Sequence, residues 1–239
     1  MTNSSAPHFV THAGRSALAE ALAAAIARRL QWRIDRDGMA GLVLSGGRTP
    51  ARFQEALSRR SLDWAKVAVT LADERWVPEA SARSNAALLR RHLLQHRAVV
   101  ATFVPLYTGD ATPEAGLAVA TVALETVPRP YAAVGLGMGD DGHTASLFPG
   151  ADTLEAALDP DGTAPLAAIR AQAAGEPRIT LSLPALLDAD VIVIHIEGAA
   201  KRRVLEAALA PGPIAAMPIR AIMRQTRTPV EIHWCPDQD

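Results

Sequence analysis

Short, mostly apolar runs alternate with helical patterns along this chain, and that alternation limits the folds open to it. The runs fall at residues 42–44, 67–71, 131–136, 179–183, 191–196 and 230–234. Most are apolar at successive positions rather than at every second one, the pattern of strands buried on both faces. Between them, Leu18, Leu22, Ile26 and Leu30 recur at helical spacing, as do Leu117, Ala120, Thr121 and Leu124. Thr112-Pro113 supplies an N-cap and a first helical residue for the second group. Strands of this kind, separated by helices, predict an α/β fold in three layers, a mostly parallel sheet flanked by helices. No internal repeat or low-complexity linker interrupts the pattern. Residues 159–177, rich in Gly, Pro and Ala, read as a loop or excursion too short to bound a domain by itself, so one domain over residues 1–239 is expected.

Composition narrows the class. With 49% apolar and 21% charged residues, a sizeable core is expected. A net charge of −1 speaks against a nucleic-acid-binding surface. No apolar run nears the roughly 18 residues that cross a bilayer. Residues 1–10 lack the basic-then-apolar order of a secretory signal. The one cysteine, Cys235, has no internal disulfide partner and fits a reducing compartment. These features predict a soluble, cytoplasmic protein. No large apolar seam is marked, so a monomer is the default expectation.

Chemistry concentrates in residues 135–149, GLGMGDDGHTASLFP, which follow an apolar run. In strand-to-helix α/β proteins, ligands bind in the crevice outside such strand ends. His143 sits there, and a histidine can take a proton near neutral pH, since its reference pKa is about 6.5. Asp141 is placed either to hold an imidazole N–H and fix the tautomer or to cap the segment that carries His143. The other histidines carry less. His92 shares a helical face with Leu88 and Leu89, His195 alternates within a strand and reads as packed, and His8, His12 and His96 read as surface residues. No histidine pair has metal-ligand spacing, so no metal site is expected.

Three further turns bear on binding. Leu44-Ser45-Gly46-Gly47-Arg48-Thr49-Pro50 couples a strand to a helix, with Thr49 read as N-cap and Pro50 as first helical residue. Bare amides at such a helix start suit a phosphate, although a plain strand–helix turn is the bland alternative. Neither a dinucleotide fingerprint nor a P-loop spacing is present. In residues 70–78, Arg75 has the fork that clamps phosphate oxygens, and Asp73 can orient it or accept a sugar hydroxyl. The alternative there is a surface ion pair. Lys201 falls in the first turn of a helix, where it opposes the helix dipole by a few tenths of a kcal/mol unless an anion binds nearby. Arg202 and Arg203 read as a solvated face.

Taken together, Ser45-Gly46-Gly47-Arg48-Thr49-Pro50, Asp73-Glu74-Arg75-Trp76-Val77-Pro78, Ser84-Asn85, residues 137–149 and Gly198-Ala199-Ala200-Lys201 closely resemble the 6-phosphogluconolactonases over nearly the whole chain. The resemblance implies hydrolysis of 6-phosphoglucono-1,5-lactone in the oxidative pentose phosphate pathway, with no metal or cofactor. It also implies the three-layer, Rossmann-like α/β fold shared with glucosamine-6-phosphate deaminases. It implies His143 as the catalytic residue, and Arg75 and Lys201 as phosphate ligands. Ser45, Gly46, Gly47, Thr49 and Asp73 complete the expected substrate-binding set, with Asp141 beside His143. The substrate would be a small sugar-phosphate lactone. The nearest alternative is the isomerase–deaminase chemistry of the sister family, whose segment continues after the histidine with Asn-Glu-Pro. Here it reads Leu147-Phe148-Pro149, and a phenylalanine moves no proton. A non-catalytic sugar-phosphate sensor would need no base, and His143 with Asp141 argues against it. A covalent route through Ser146 or Thr144 lacks a Gly-x-Ser-x-Gly elbow.

Overall fold

The computed structural model describes residues 6–47 and 49–237. Ten strands and eight α-helices are found among them. In chain order they are β1 (His8–Thr11), α1 (Arg15–Asp37), β2 (Ala40–Leu44), α2 (Ala51–Ser58), β3 (Val67–Leu71), β4 (Asp73–Arg75), α3 (Asn85–His92), β5 (Thr102–Val104) and α4 (Pro113–Leu124). There follow β6 (Ala133–Leu136), α5 (Leu154–Leu158), β7 (Leu166–Ile169), β8 (Arg178–Leu181), α6 (Leu183–Leu187), β9 (Ile192–Glu197), α7 (Gly198–Leu209), α8 (Ile219–Arg224) and β10 (Val230–Cys235). A seven-stranded sheet runs in the order β1-β10-β9-β6-β2-β3-β5, and every pair in it is parallel. This is the mostly parallel, helix-flanked sheet that the alternating pattern predicts. Buried strands such as β2 and β3 have no exposed position, as an interior parallel strand requires.

Helix α1 shows how pattern becomes packing. Leu18, Leu22, Ile26 and Leu30 are each at most 1% exposed. Burying a leucine or isoleucine contributes about 1.5–3 kcal/mol. The helix ends at Gly38, whose φ of 83° is the left-handed conformation of a C-terminal cap, with its N–H bonded to Ile34 O at 2.9 Å. Near that end Arg33 reaches Asp190 through two nitrogens, at 2.6 and 2.5 Å, and so ties α1 to the approach to β9. Thr112 caps α4 as expected, accepting the Ala115 N–H at 3.3 Å.

The structure corrects several boundaries. The apolar run at 179–183 is a strand only to Leu181, and Leu183 opens α6, with a proline in the first turn of that helix. Apolar runs of this length do not separate strand from buried helix by periodicity alone. Strand β8 also lies outside the parallel sheet, in an antiparallel three-stranded sheet with β4 and β7. The 159–177 segment, read as a loop or excursion, contains β7. Thr49 is not an N-cap. Pro50 occupies that place (φ −77°, ψ −5°) and makes no side-chain cap bond, because the turn after Gly47 takes one more residue before α2 begins.

Candidate active site

The strand order places the site. From β2 the chain moves to β3 and β5 on one side, then returns to β6 on the other, so β2 and β6 are neighbours whose connections diverge. A crevice opens outside the carboxyl ends of strands at such a switch point. Here it is a cleft of about 520 Å³, lined by Ser45, Gly46, Gly47 and Thr49 after β2, Gly137 to Ala145 without Asp141 and Gly142 after β6, and Lys201 after β9.

His143 is fixed on three sides. Its Nδ1 lies 2.6 Å from Asp141 Oδ1, and the same oxygen accepts the His143 backbone N–H at 3.0 Å. The two contacts foreseen as alternatives for Asp141, to the ring nitrogen and to the backbone, are thus made by one oxygen. An ionised carboxylate only accepts, so in the neutral ring this contact places the proton on Nδ1 and leaves Nε2 as the basic nitrogen. The imidazole also rests against bare backbone at Gly139, where an added Cβ would meet Nδ1 at 2.1 Å. Its ring centroid is 4.2 Å from that of Phe148. Gly142 turns the chain at φ 77°, which lets Asp141 and His143 face each other.

Cations gather around the same cleft. Arg75, Arg178 and Lys201 all line it. Arg75 donates from one terminal nitrogen to Arg83 O, while its buried Nε has no protein partner among the described residues. Arg178 was not foreseen from the sequence. Its guanidinium carbon lies 5.5 Å from the Phe148 ring centroid, and its Nε too is buried without a partner. Burial pulls this guanidinium below its ordinary pKa, and Asp73, 3.7 Å away, pulls the other way. Lys201 Nζ pairs with Asp140 Oδ1 at 2.6 Å. Two glycines complete the cradle for different reasons. Gly47 has φ 99°, and a Cβ on Gly46 would sit 2.0 Å from the amide oxygen of Asn85.

Other expected residues take different places. Asp73 lies in the cleft but does not orient Arg75. It is 5% exposed, accepts the Ser146 hydroxyl at 2.5 Å, and takes the Asn85 side-chain amide on its backbone oxygen at 2.9 Å. Ser146 is thereby fully buried and committed, and the Thr144 hydroxyl donates to Gly137 O at 2.9 Å, so neither offers a free nucleophile. Glu74, passed over in the sequence, is the hub behind Arg75. Its oxygens accept the backbone N–H groups of Arg75, Asn85 and Ala86 and the hydroxyl of Ser84, while burial raises its carboxyl above the usual range. His12 is half-buried rather than a plain surface residue, stacked on His233 with a nitrogen contact of 2.9 Å. His195 is packed as expected but also borders the cleft. Arg48 lies outside the described residues. Among the described residues, no three His, Cys, Asp or Glu side chains are grouped to hold a metal ion, and no helix is long and apolar enough to cross a membrane.

Comparison with known proteins agrees with this architecture. The family model described as glucosamine-6-phosphate isomerases/6-phosphogluconolactonase matches residues 13–234. The chain belongs to this family. A 6-phosphogluconolactonase of Rhizobium meliloti is 49% identical, over 92% of this chain and 95% of its own. One from Mesorhizobium japonicum is 48% identical, over 93% and 92%. The crystal structure of a 6-phosphogluconolactonase from Shewanella baltica superposes with a TM-score of 0.93 at 44% identity, covering 96% of this chain and 97% of that one.

Proposed function

We propose that this protein hydrolyses 6-phosphoglucono-1,5-lactone to 6-phosphogluconate, the lactonase step of the oxidative pentose phosphate pathway. The observation that carries the reading is the tethered His143. Its Nδ1 is held by Asp141, and its Nε2, without a protein partner among the described residues, belongs to a ring lining a cleft bordered by three cations. The substrate phosphate binds to Arg75, Arg178, Lys201 and the amides of the Gly46-Gly47 turn, with Ser45 and Thr49 beside it. This anchors the ring by its non-reacting end, and such positioning lowers the barrier to attack.

Nε2 of His143 removes a proton from water as the water oxygen attacks the lactone carbonyl carbon. The imidazolium that forms is stabilised by the Asp141 carboxylate. As the tetrahedral intermediate collapses, the bond from that carbon to the ring oxygen breaks, and Nε2 returns the proton to that oxygen. General base catalysis of this kind contributes about 10²- to 10⁴-fold. Phe148 packs against His143 with the rings tilted by 33°, at the place where the sister family carries a glutamate, so the ring-opening acid of an isomerase is replaced by an apolar wall. Every proton transfer runs through His143, with no metal or cofactor taking part. The chain acts as a single-domain, cytoplasmic monomer on a small molecule, without nucleic-acid or membrane partners.

The test compares the phosphorylated lactone with glucono-1,5-lactone, after subtraction of spontaneous hydrolysis. A kcat/KM higher by at least about 100-fold for the phosphorylated substrate is expected, as several charge-assisted contacts would give. Equal values, or ammonia release from glucosamine 6-phosphate, would overturn the reading.

A further inference from the structure

Lys201 does not stand open in the cleft. Its ammonium is already paired, 2.6 Å from Asp140, and the two residues come from different elements. Asp140 lies on the histidine turn between Gly139, against which the His143 ring rests, and Asp141, which holds that ring. Lys201 lies on α7 and keeps 28% of its side chain exposed, whereas Asp140 keeps 87%. The hydrogen bond from Lys201 holds the Asp140 carboxyl below the usual carboxylate range, so it stays ionised at neutral pH.

We propose that Asp140 is an affinity-setting residue that competes with the substrate phosphate for Lys201. The inference rests on the reading above that Lys201 binds phosphate. A phosphate dianion carries twice the charge of a carboxylate and offers three acceptor oxygens, so it wins the ammonium. Release of Asp140 costs little, because an ion pair with one side chain almost wholly in water is weak. Its negative charge nevertheless stays at the mouth of a cleft that must attract an anion. Asp140 therefore weakens phosphate binding twice, by occupying Lys201 before binding and by repelling the dianion afterwards. The second term is screened by salt.

The experiment is calorimetric titration with inorganic phosphate of the wild type, Asp140→Asn and Lys201→Ala at low ionic strength, alongside KM for the phosphorylated lactone. Asp140→Asn is expected to bind phosphate about 2- to 5-fold more tightly, the range of an exposed ion pair, and to lower KM in proportion. The gain should shrink at high salt, and the KM for unphosphorylated glucono-1,5-lactone should not follow it. If Lys201→Ala weakens phosphate while Asp140→Asn binds it no better than wild type, the competition fails and the phosphate reading stands. If Lys201→Ala binds phosphate like wild type, the Lys201 assignment falls and takes this proposal with it.

Discussion

One oxygen of Asp141 holds His143 twice, through the ring Nδ1 at 2.6 Å and through the backbone N–H at 3.0 Å. The carboxylate thus sets both where the imidazole sits and which nitrogen is protonated. Asp141→Asn keeps an acceptor for the backbone but loses the charge that stabilises an imidazolium. We expect kcat to fall about 10- to 100-fold, within the range of acid–base contributions, with KM changed less than threefold. Steady-state kinetics with a check of Tm measures this. A wild-type kcat would remove Asp141 from the mechanism.

Phe148 supports the ring from another side, and its own ring carries the Arg178 guanidinium. Leucine at this buried position keeps apolar volume but not the aromatic face, a change that costs under about 1.5 kcal/mol of stability in most cores. Phe148→Leu should lower kcat about 3- to 10-fold, the effect of a looser base rather than a missing one. Phe148→Tyr should recover most of that loss. The His143 ring protons should lose the upfield NMR shift that a nearby aromatic face imposes. Unchanged chemical shifts would show that the ring contact does not persist in solution.

Glu74 joins β4 to the start of α3 through four accepted hydrogen bonds. An amide in its place turns donors toward donors, and a buried unsatisfied group costs about 1–3 kcal/mol. Glu74→Gln should therefore lower the urea midpoint by an amount equivalent to about 2 kcal/mol. It should also raise KM, since Arg75 and Asn85 lean on this carboxylate. A midpoint equal to wild type would contradict the hub.

Burial and the neighbouring His233 and His195 hold the His12 imidazole below its ordinary pKa. Glu231 and Glu197 face the same cluster through His233 and His195. In the unfolded chain His12 takes up a proton as pH falls through about 6.5, while the folded form resists it, so stability is lost as pH falls below that value. His12→Phe keeps a ring for stacking but cannot titrate. Its denaturation midpoint should fall less between pH 7 and pH 5 than that of the wild type. Parallel curves for the two proteins would exclude this contribution.

Much of the architecture was legible because it rests on local pattern. The apolar run at 67–71 is β3 to the residue, and Leu18, Leu22, Ile26 and Leu30 form the buried face of α1. The small antiparallel sheet was not legible, since β4 is three residues of Asp-Glu-Arg whose pairing with β8 is decided a hundred residues away. The same limit hid Arg178, a lone arginine opening an apolar run, which reaches the cleft only because β8 pairs with β4. Glu74 stood within the 73–78 motif but its role did not show, because its partners, three backbone N–H groups and the Ser84 hydroxyl, are brought to it mainly by the start of α3. His143 and Asp141 could be singled out because both lie in one glycine-rich turn, where two residues of separation already bring ring and carboxylate together.

In the proposed mechanism Nε2 of His143 is the base that activates water. Substitution of His143 by alanine, assayed on the phosphorylated lactone with the spontaneous rate subtracted, isolates that role. A loss in kcat of about 10²-fold or more is expected, with inorganic phosphate still bound at near wild-type affinity. Hydrolysis at the wild-type rate would contradict it.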